Sequence, residues 1–187
     1  MIYTIGYAGV TLGKFIELLK EQEISVLIDV RSLPKSRYFY QFNDSDLSKS
    51  LAKEGIEYIH MKNEFGARQE NPDFYTNEIF DYDKFAESFQ FKNGVGKVLK
   101  LTSLGKNICL MCSEIDPIKC HRAILCARHL AECGEKICHI IAKRNGDVFF
   151  EPQEEFEARI LQETKINNLS EAYRKQNKKI GYKLTNL

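Results

Sequence analysis

The chain has 187 residues, 43% hydrophobic and 28% charged, with a formal net charge of +1. That length supports one well-buried core, and the composition is that of a globular chain rather than a disordered or membrane-spanning one. A charge so close to zero excludes a global electrostatic pull toward nucleic acid or membrane, so any basic surface has to be local.

The opening MIYTIGYAG lacks the charged lead and long apolar stretch of a signal peptide, and no apolar run is long enough to span a bilayer. A cytoplasmic protein without membrane partners is expected, its six cysteines reduced rather than paired.

In chain order, IYTIG (2–6) reads as a strand because it is rich in β-branched and aromatic residues. TLGKFIELLKEQ (11–22) follows as a helix, with Thr11 as N-cap and Leu12, Phe15, Ile16 and Leu19 at helical spacing. VLIDV (26–30), an apolar run broken by one acid, suits a buried parallel strand. Residues 44–54 form a second helix with Leu47 and Leu51 four apart and Gly55 as its stop, and IEYIHM (56–61) is a third strand. Residues 62–81 break the pattern and read as a long irregular insert. Helical spacing returns through Phe85, Phe89, Val98 and Leu99, then a strand at 107–112, a helix at 117–133 closed by Gly134, and a strand at 136–142.

This alternation predicts an α/β fold: a doubly wound, mostly parallel five-stranded sheet with helices on both faces. It would occupy residues 1–150. Residues 151–187 are expected to form a C-terminal helical extension with a basic tail, because Arg174, Lys175, Lys178, Lys179 and Lys183 face one acid, Glu171. The tail is read as solvated, with a phosphate-binding arm as the sharper alternative.

The densest chemistry lies in CSEIDPIKCHR (112–122). The spacing Cys109-x-x-Cys112 followed by Cys120-His121 is close to a zinc pattern. Neighbours in a strand alternate faces, however, so Cys109 and Cys112 point apart, and neither metal nor cofactor is expected. Asp116-Pro117 is a helix start, which places Cys112 at the carboxyl end of a strand, Glu114 in the turn and Cys120 on the core face of the helix. A helix amide end would lower the Cys112 thiol pKa. His121 in the same field would be a neutral proton donor or acceptor.

Ligands of open parallel sheets lie outside the carboxyl ends of the strands. The residues predicted there are Tyr7, Asp29, Arg31 and Cys112 to Glu114, joined by the loop RSLPKSRYFYQF (31–42) with Arg37 and by Arg68 from the insert. Arginine forks suit phosphate or carboxylate, and the interleaved tyrosines suit stacking on a base. The expected roles are catalytic for Cys112, Glu114 and His121, ligand-binding for Tyr7, Arg31, Arg37, Arg68 and Arg122, and supporting for Asp29 and Cys120.

The pieces TIGYAG, LIDVRSLPKSR, QFN, GIEYIHM, FGAR and CSEIDPIKCHR together resemble the domain-of-unknown-function family 488 (DUF488), over residues 1 to about 142. The resemblance implies a compact α/β domain and nominates Arg31, Arg37, Arg68, Cys112, Glu114, Cys120, His121 and Arg122. It supplies no activity. The family's histidine after the first Ile-Gly is Tyr7 here. The Asp-Val-Arg strand and the later cysteine are also similar to the rhodanese and cysteine-phosphatase plan, where five residues separate Cys and Arg rather than the nine between Cys112 and Arg122.

Three functions are therefore in view. The first is binding, with or without processing, of an anionic phosphate-bearing ligand, a nucleotide or nucleic acid, at an arginine-rich rim. The second is sulfur or phosphoryl transfer with Cys112 as nucleophile. The third is a non-catalytic nucleic-acid-binding module.

Overall fold

A computed structural model describes residues 1–184; positions 185–187 of the expected tail lie outside the described residues. Strand β1 (Ile2–Gly6) is followed by α1 (Leu12–Glu21), β2 (Val26–Asp29), α2 (Asp44–Ala52), β3 (Glu57–His60) and α3 (Lys62–Phe65). A small hairpin, β4 (Tyr75–Thr76) and β5 (Ile79–Phe80), leads to α4 (Tyr82–Ala86), α5 (Phe89–Ser103) and β6 (Ile108–Cys112). The chain ends with α6 (Arg128–Glu132), β7 (Ile137–Ala142), β8 (Val148–Pro152), α7 (Gln153–Thr164) and α8 (Leu169–Ile180).

The main sheet has six strands in the order β3-β2-β6-β1-β7-β8, not the expected five. The five expected strands run parallel, and β8 adds to the edge antiparallel to β7. Its hairpin turns at Asn145-Gly146, where Gly146 has φ +94°, and closes with Lys143 N–H donating to the Asp147 carbonyl at 2.8 Å. Asn-Gly between strand-forming runs is a strong hairpin signal. It is easy to miss here because β8 is a half-exposed edge, with Phe149 47% and Phe150 45% exposed, so no apolar alternation marks it.

Alternating strand residues feed two hydrophobic cores. On one face Cys109 and Met111 pack with Phe15, Leu18 and Leu19 of α1 and Leu47 and Leu51 of α2. On the other, Ile108, Leu110 and Cys112 pack with Phe91 and Val98 of α5, Leu130 of α6, Phe156 and Ile160 of α7 and Ala172 and Tyr173 of α8. Thr11 caps α1 as expected, its hydroxyl accepting from Lys14 N–H.

Three local expectations are revised. Residues 62–81 are not structureless, since they hold α3 and the β4–β5 hairpin. The stretch from 169 is not a solvated tail: α8 buries Ala172, Tyr173, Gln176 and Asn177. The Asn177 amide accepts from Tyr82 N–H and donates to the Phe80 carbonyl, satisfying backbone groups that burial would otherwise leave unpaired. The predicted helix 117–133 is broken into a 3-10 turn (Pro117–Lys119), an extended Cys120, a π-helical segment (Arg122–Ala127) and α6. Among the described residues no helix is long and apolar enough to cross a membrane.

Candidate functional site

Strands β1, β2 and β6 lie side by side and end together, with Gly6 opposite Cys112 and Asp29 opposite Met111. Beyond these carboxyl ends is a cavity of about 210 Å³. Tyr7, Arg31, Cys112 and His121 form its inner wall, and Ser32, Lys35, Arg68 and Tyr182 its rim. The position is the one expected for a ligand site in a parallel sheet. A larger open groove of about 810 Å³ lies near Met1, Lys136 and Gln153 on the amino side of the sheet, and it contains neither a thiol nor an imidazole.

The inner wall is built by close backbone approach. A Cβ on Gly6 would lie 1.7 Å from the Glu114 carbonyl oxygen, so only glycine lets the end of β1 touch the loop after β6. Ala8 N–H then donates to the Ser113 carbonyl at 3.0 Å, locking the two segments together.

Asp29 is fully buried and holds Arg31 in a fork: Arg31 Nη2 lies 2.6 Å from Oδ2 and Nε 2.9 Å from Oδ1. Tyr58 donates a further hydrogen bond to Asp29, at 2.6 Å. Arg31 Nη2 also donates to the Phe42 carbonyl, and its guanidinium stands 5.1 Å from the Tyr7 ring centroid. Tyr7 is itself stacked on Phe42. Arg31 is only 5% exposed, and its Nη1 is a buried donor with no hydrogen-bond partner among the described residues.

Arg122 does not face the cavity. It is fully buried and donates to the carbonyls of Glu114 and Ile115 and, at 3.4 Å, to the Thr4 hydroxyl. Its role in the structure is to hold the 113–116 turn, and the ligand-binding role expected of it has no geometric support. Arg37 is exposed and lies outside the cavity wall. The geometry also departs from the rhodanese and cysteine-phosphatase plan, because the loop's carbonyls, not a ring of amides, converge on this arginine.

Beneath the inner wall, Cys112, Cys120, His121 and Glu114 meet. Glu114 Oε2 is 3.3 Å from Cys112 Sγ and 3.2 Å from Cys120 Sγ, and His121 Nδ1 is 3.8 Å from Cys112 Sγ. The extended backbone at Cys120 (φ −136°, ψ 136°) turns its thiol back toward the end of β6. Cys120 is thus both buried, as its helical spacing suggested, and part of the cluster. Cys109 lies in the opposite core, as strand alternation requires.

Two adjacent buried thiols do not ionise independently. The hydrogen bond with Cys120, then burial and the charges of Cys120 and Glu114, push Cys112 well above the ordinary thiol value. Burial also pushes Cys120 up, but the bond from Cys112 and the positive Arg122 and His121 outweigh it and hold Cys120 well below. The upward shift of Cys112 is opposite to the sequence expectation, and its causes are the adjoining Cys120 thiol and burial. Burial and the neighbouring Cys120 also raise Glu114.

The structure brings Tyr7, Asp29, Arg31, Arg68, Cys112, Glu114, Cys120 and His121 together at one end of the sheet. Sequence reasoning did not place Tyr182 there. Ser32 accepts from Arg68 N–H at 2.8 Å, and the Tyr182 ring lies 4.2 Å from the Arg68 guanidinium. Tyr182 arrives through the C-terminal segment, which returns beside β5 through a bridge between Ile79 and Lys183. No local pattern announces such a return.

The family model described as "Domain of unknown function DUF488" matches residues 11–129, well over half of the chain and including the 31–37 and 112–122 segments. Neither a curated protein nor a solved structure matches the chain. The chain belongs to the DUF488 family.

Proposed function

We propose that the cavity at the ends of β1, β2 and β6 binds the phosphate group of a small anionic ligand, with a nucleotide as the best-fitting class. The observation that carries this reading is Arg31, a residue lining the cavity whose Nη1 is a buried donor without a partner among the described residues. An unpaired buried donor costs about 1–3 kcal/mol, a cost that an acceptor in the cavity would remove. The Asp29 ion pair fixes the direction of that donor and offsets its charge, so the net positive field comes from Lys35 and Arg68 at the rim. Neither of these has a carboxylate partner among the described residues.

A volume of about 210 Å³ suits a phosphate and its immediate attachment, leaving the rest of a nucleotide outside. The loop that continues from Ser36 at the cavity carries Tyr38 and Tyr40, 90% and 69% exposed. Exposed aromatic faces beside cationic groups are stacking platforms for bases. The test is calorimetric titration with adenosine monophosphate, adenosine and inorganic phosphate. Binding of the monophosphate, weaker binding of phosphate and none of adenosine supports the reading. Equal binding of adenosine and its monophosphate, or no binding of either, refutes it.

A further inference from the structure

We propose that Cys112, Cys120 and His121 bind one thiophilic metal ion of the zinc class, with Glu114 as the fourth donor. The inference goes beyond the anion reading and does not depend on it.

The donor set and its spacing carry the argument. One atom from each of Cys112, Cys120 and His121 lies within 4.8 Å of the other two, and all three residues are buried. The Glu114 oxygen stands 3.3 and 3.2 Å from the two sulfurs, and His121 Nδ1 stands 3.8 Å from Cys112 Sγ. A tetrahedral zinc ion, with bonds of about 2.3 Å to sulfur and about 2.0–2.1 Å to nitrogen or oxygen, separates its donors by roughly 3.4–3.8 Å. The three printed separations fall at or just below that spacing; Glu114 lies outside the group of donors within 4.8 Å of one another, so its carboxylate has to swing toward His121 to complete the set. Two thiolates, an imidazole and a carboxylate select a borderline-soft divalent ion over magnesium or calcium.

A second observation concerns the imidazole itself. His121 Nε2 lies 2.9 Å from the Val30 carbonyl, which can only accept, so Nε2 carries the proton. Nδ1 is then the ring nitrogen that faces the sulfurs, and loss of its proton from the imidazolium frees a lone pair there for a metal. A ligand histidine that donates its other N–H to a backbone carbonyl is the usual way in which a metal site fixes the ring and its tautomer.

The backbone adds a third. A regular helix from Pro117 would carry the Cys120 thiol away from Cys112. The chain instead breaks at Cys120 and resumes as a π-helical segment, a rare conformation frequent at functional sites. Arg122, the first residue of that segment, clamps the carbonyls of the turn that carries Glu114. The zinc-like spacing of Cys109 and Cys112 is thus misleading in its first member only: Cys109 faces the other core, and Cys120 takes its place. Cys112 and His121 also line the cavity, so an ion bound to them sits at its floor.

The test is titration of the full-length chain, metal-stripped and with all six thiols reduced, with cobalt(II) followed by zinc. The expected result is a thiolate-to-cobalt charge-transfer band and strong four-coordinate visible bands that saturate at one equivalent and are bleached by one equivalent of zinc. Cys120→Ser and His121→Ala are expected to lose the one-equivalent endpoint, and Cys126→Ser to keep it. Because a cysteine variant can fail to fold, the wild-type melting temperature is measured alongside and is expected to rise with one equivalent of zinc and fall back with chelator. Absence of the charge-transfer band in the reduced wild type overturns the proposal, as does an unchanged band in Cys112→Ser. Repeating the nucleotide titration in chelator separates the two readings: binding that survives there leaves the anion site standing whatever the cobalt result.

Discussion

Asp29 and Arg31, two residues apart, form a buried two-point ion pair in which the carboxylate fixes the guanidinium of a cavity-lining residue and leaves one of its donors, Nη1, without a partner among the described residues. The arrangement is structural first. Asp29→Asn leaves the guanidinium without its charge partner in a buried position, and breaking such a pair costs about 3–5 kcal/mol. Urea unfolding should show that loss. Tyr58→Phe, which removes one hydrogen bond to the same carboxylate, should cost less, about 1.5–3 kcal/mol.

The two rim cations answer to binding rather than folding. Lys35 and Arg68 are exposed, so Lys35→Ala and Arg68→Ala should leave urea midpoints nearly unchanged. Each should weaken binding of adenosine monophosphate by roughly ten-fold, which corresponds to about 1.4 kcal/mol. Tyr182→Ala, which removes the ring beside Arg68, should weaken it by a smaller factor, since a cation–π contact of this kind is worth about 0.5–1 kcal/mol at exposed sites. Calorimetry on the three variants gives the comparison.

Arg122 is a clamp, and its substitution should act on the turn. Arg122→Lys cannot reach the Glu114 and Ile115 carbonyls together, and each buried acceptor left unpaired costs about 1–3 kcal/mol. Amide exchange should accelerate in residues 113–119 before it does in β1 or β7. Protection of that turn equal to wild type would refute the assignment.

A pH dependence follows from a histidine outside the site. His139 is fully buried between the Thr4 hydroxyl and the Gln153 amide, and burial, reinforced by the charge of Arg122, lowers its pKa to about 3. The folded state thus disfavours the protonated form, while the unfolded chain takes up a proton near pH 6.5. Stability from this group is complete above that value and is lost as pH falls from about 6.5 toward about 3, at about 1.4 kcal/mol per unit. His139→Gln should flatten that limb of the stability profile. Because carboxylates titrate in the same range, the quantity to compare is the difference between wild type and variant.

Gly6→Ala should be the most disruptive small change in the site. Its methyl group would collide with the Glu114 backbone, and overpacking of this kind costs about 1–3 kcal/mol or more. The melting temperature should fall, and nucleotide binding should weaken even in the folded fraction because the turn is displaced. Gly13→Ala, where nothing lies within 4 Å of the added methyl, is the control.

The central strands were legible because buried parallel strands are continuous apolar runs bounded by turns, as in VLID and ICLMC, whereas the partly exposed β3 showed itself through its β-branched and aromatic residues. The sixth was hidden by its edge position, and α8 by its charge: its basic residues occupy the outer face while Ala172 and Tyr173 insert into the core. Within the site, residues adjoining strand ends, such as Arg31 and Cys112, could be placed by the rule for parallel sheets. Arg122 could not, since the orientation of a side chain after a broken helix depends on the break itself. Tyr182 could not because only long-range packing returns it to the rim.

The central claim is that an anion accepts a hydrogen bond from the free donor of Arg31. It is tested most directly by a crystal structure with bound adenosine monophosphate. The account predicts a phosphate oxygen within hydrogen-bond distance of Arg31 Nη1, with Lys35 and Arg68 turned toward it. A monophosphate bound elsewhere, with Nη1 paired to a protein group in the free and bound forms alike, would contradict it.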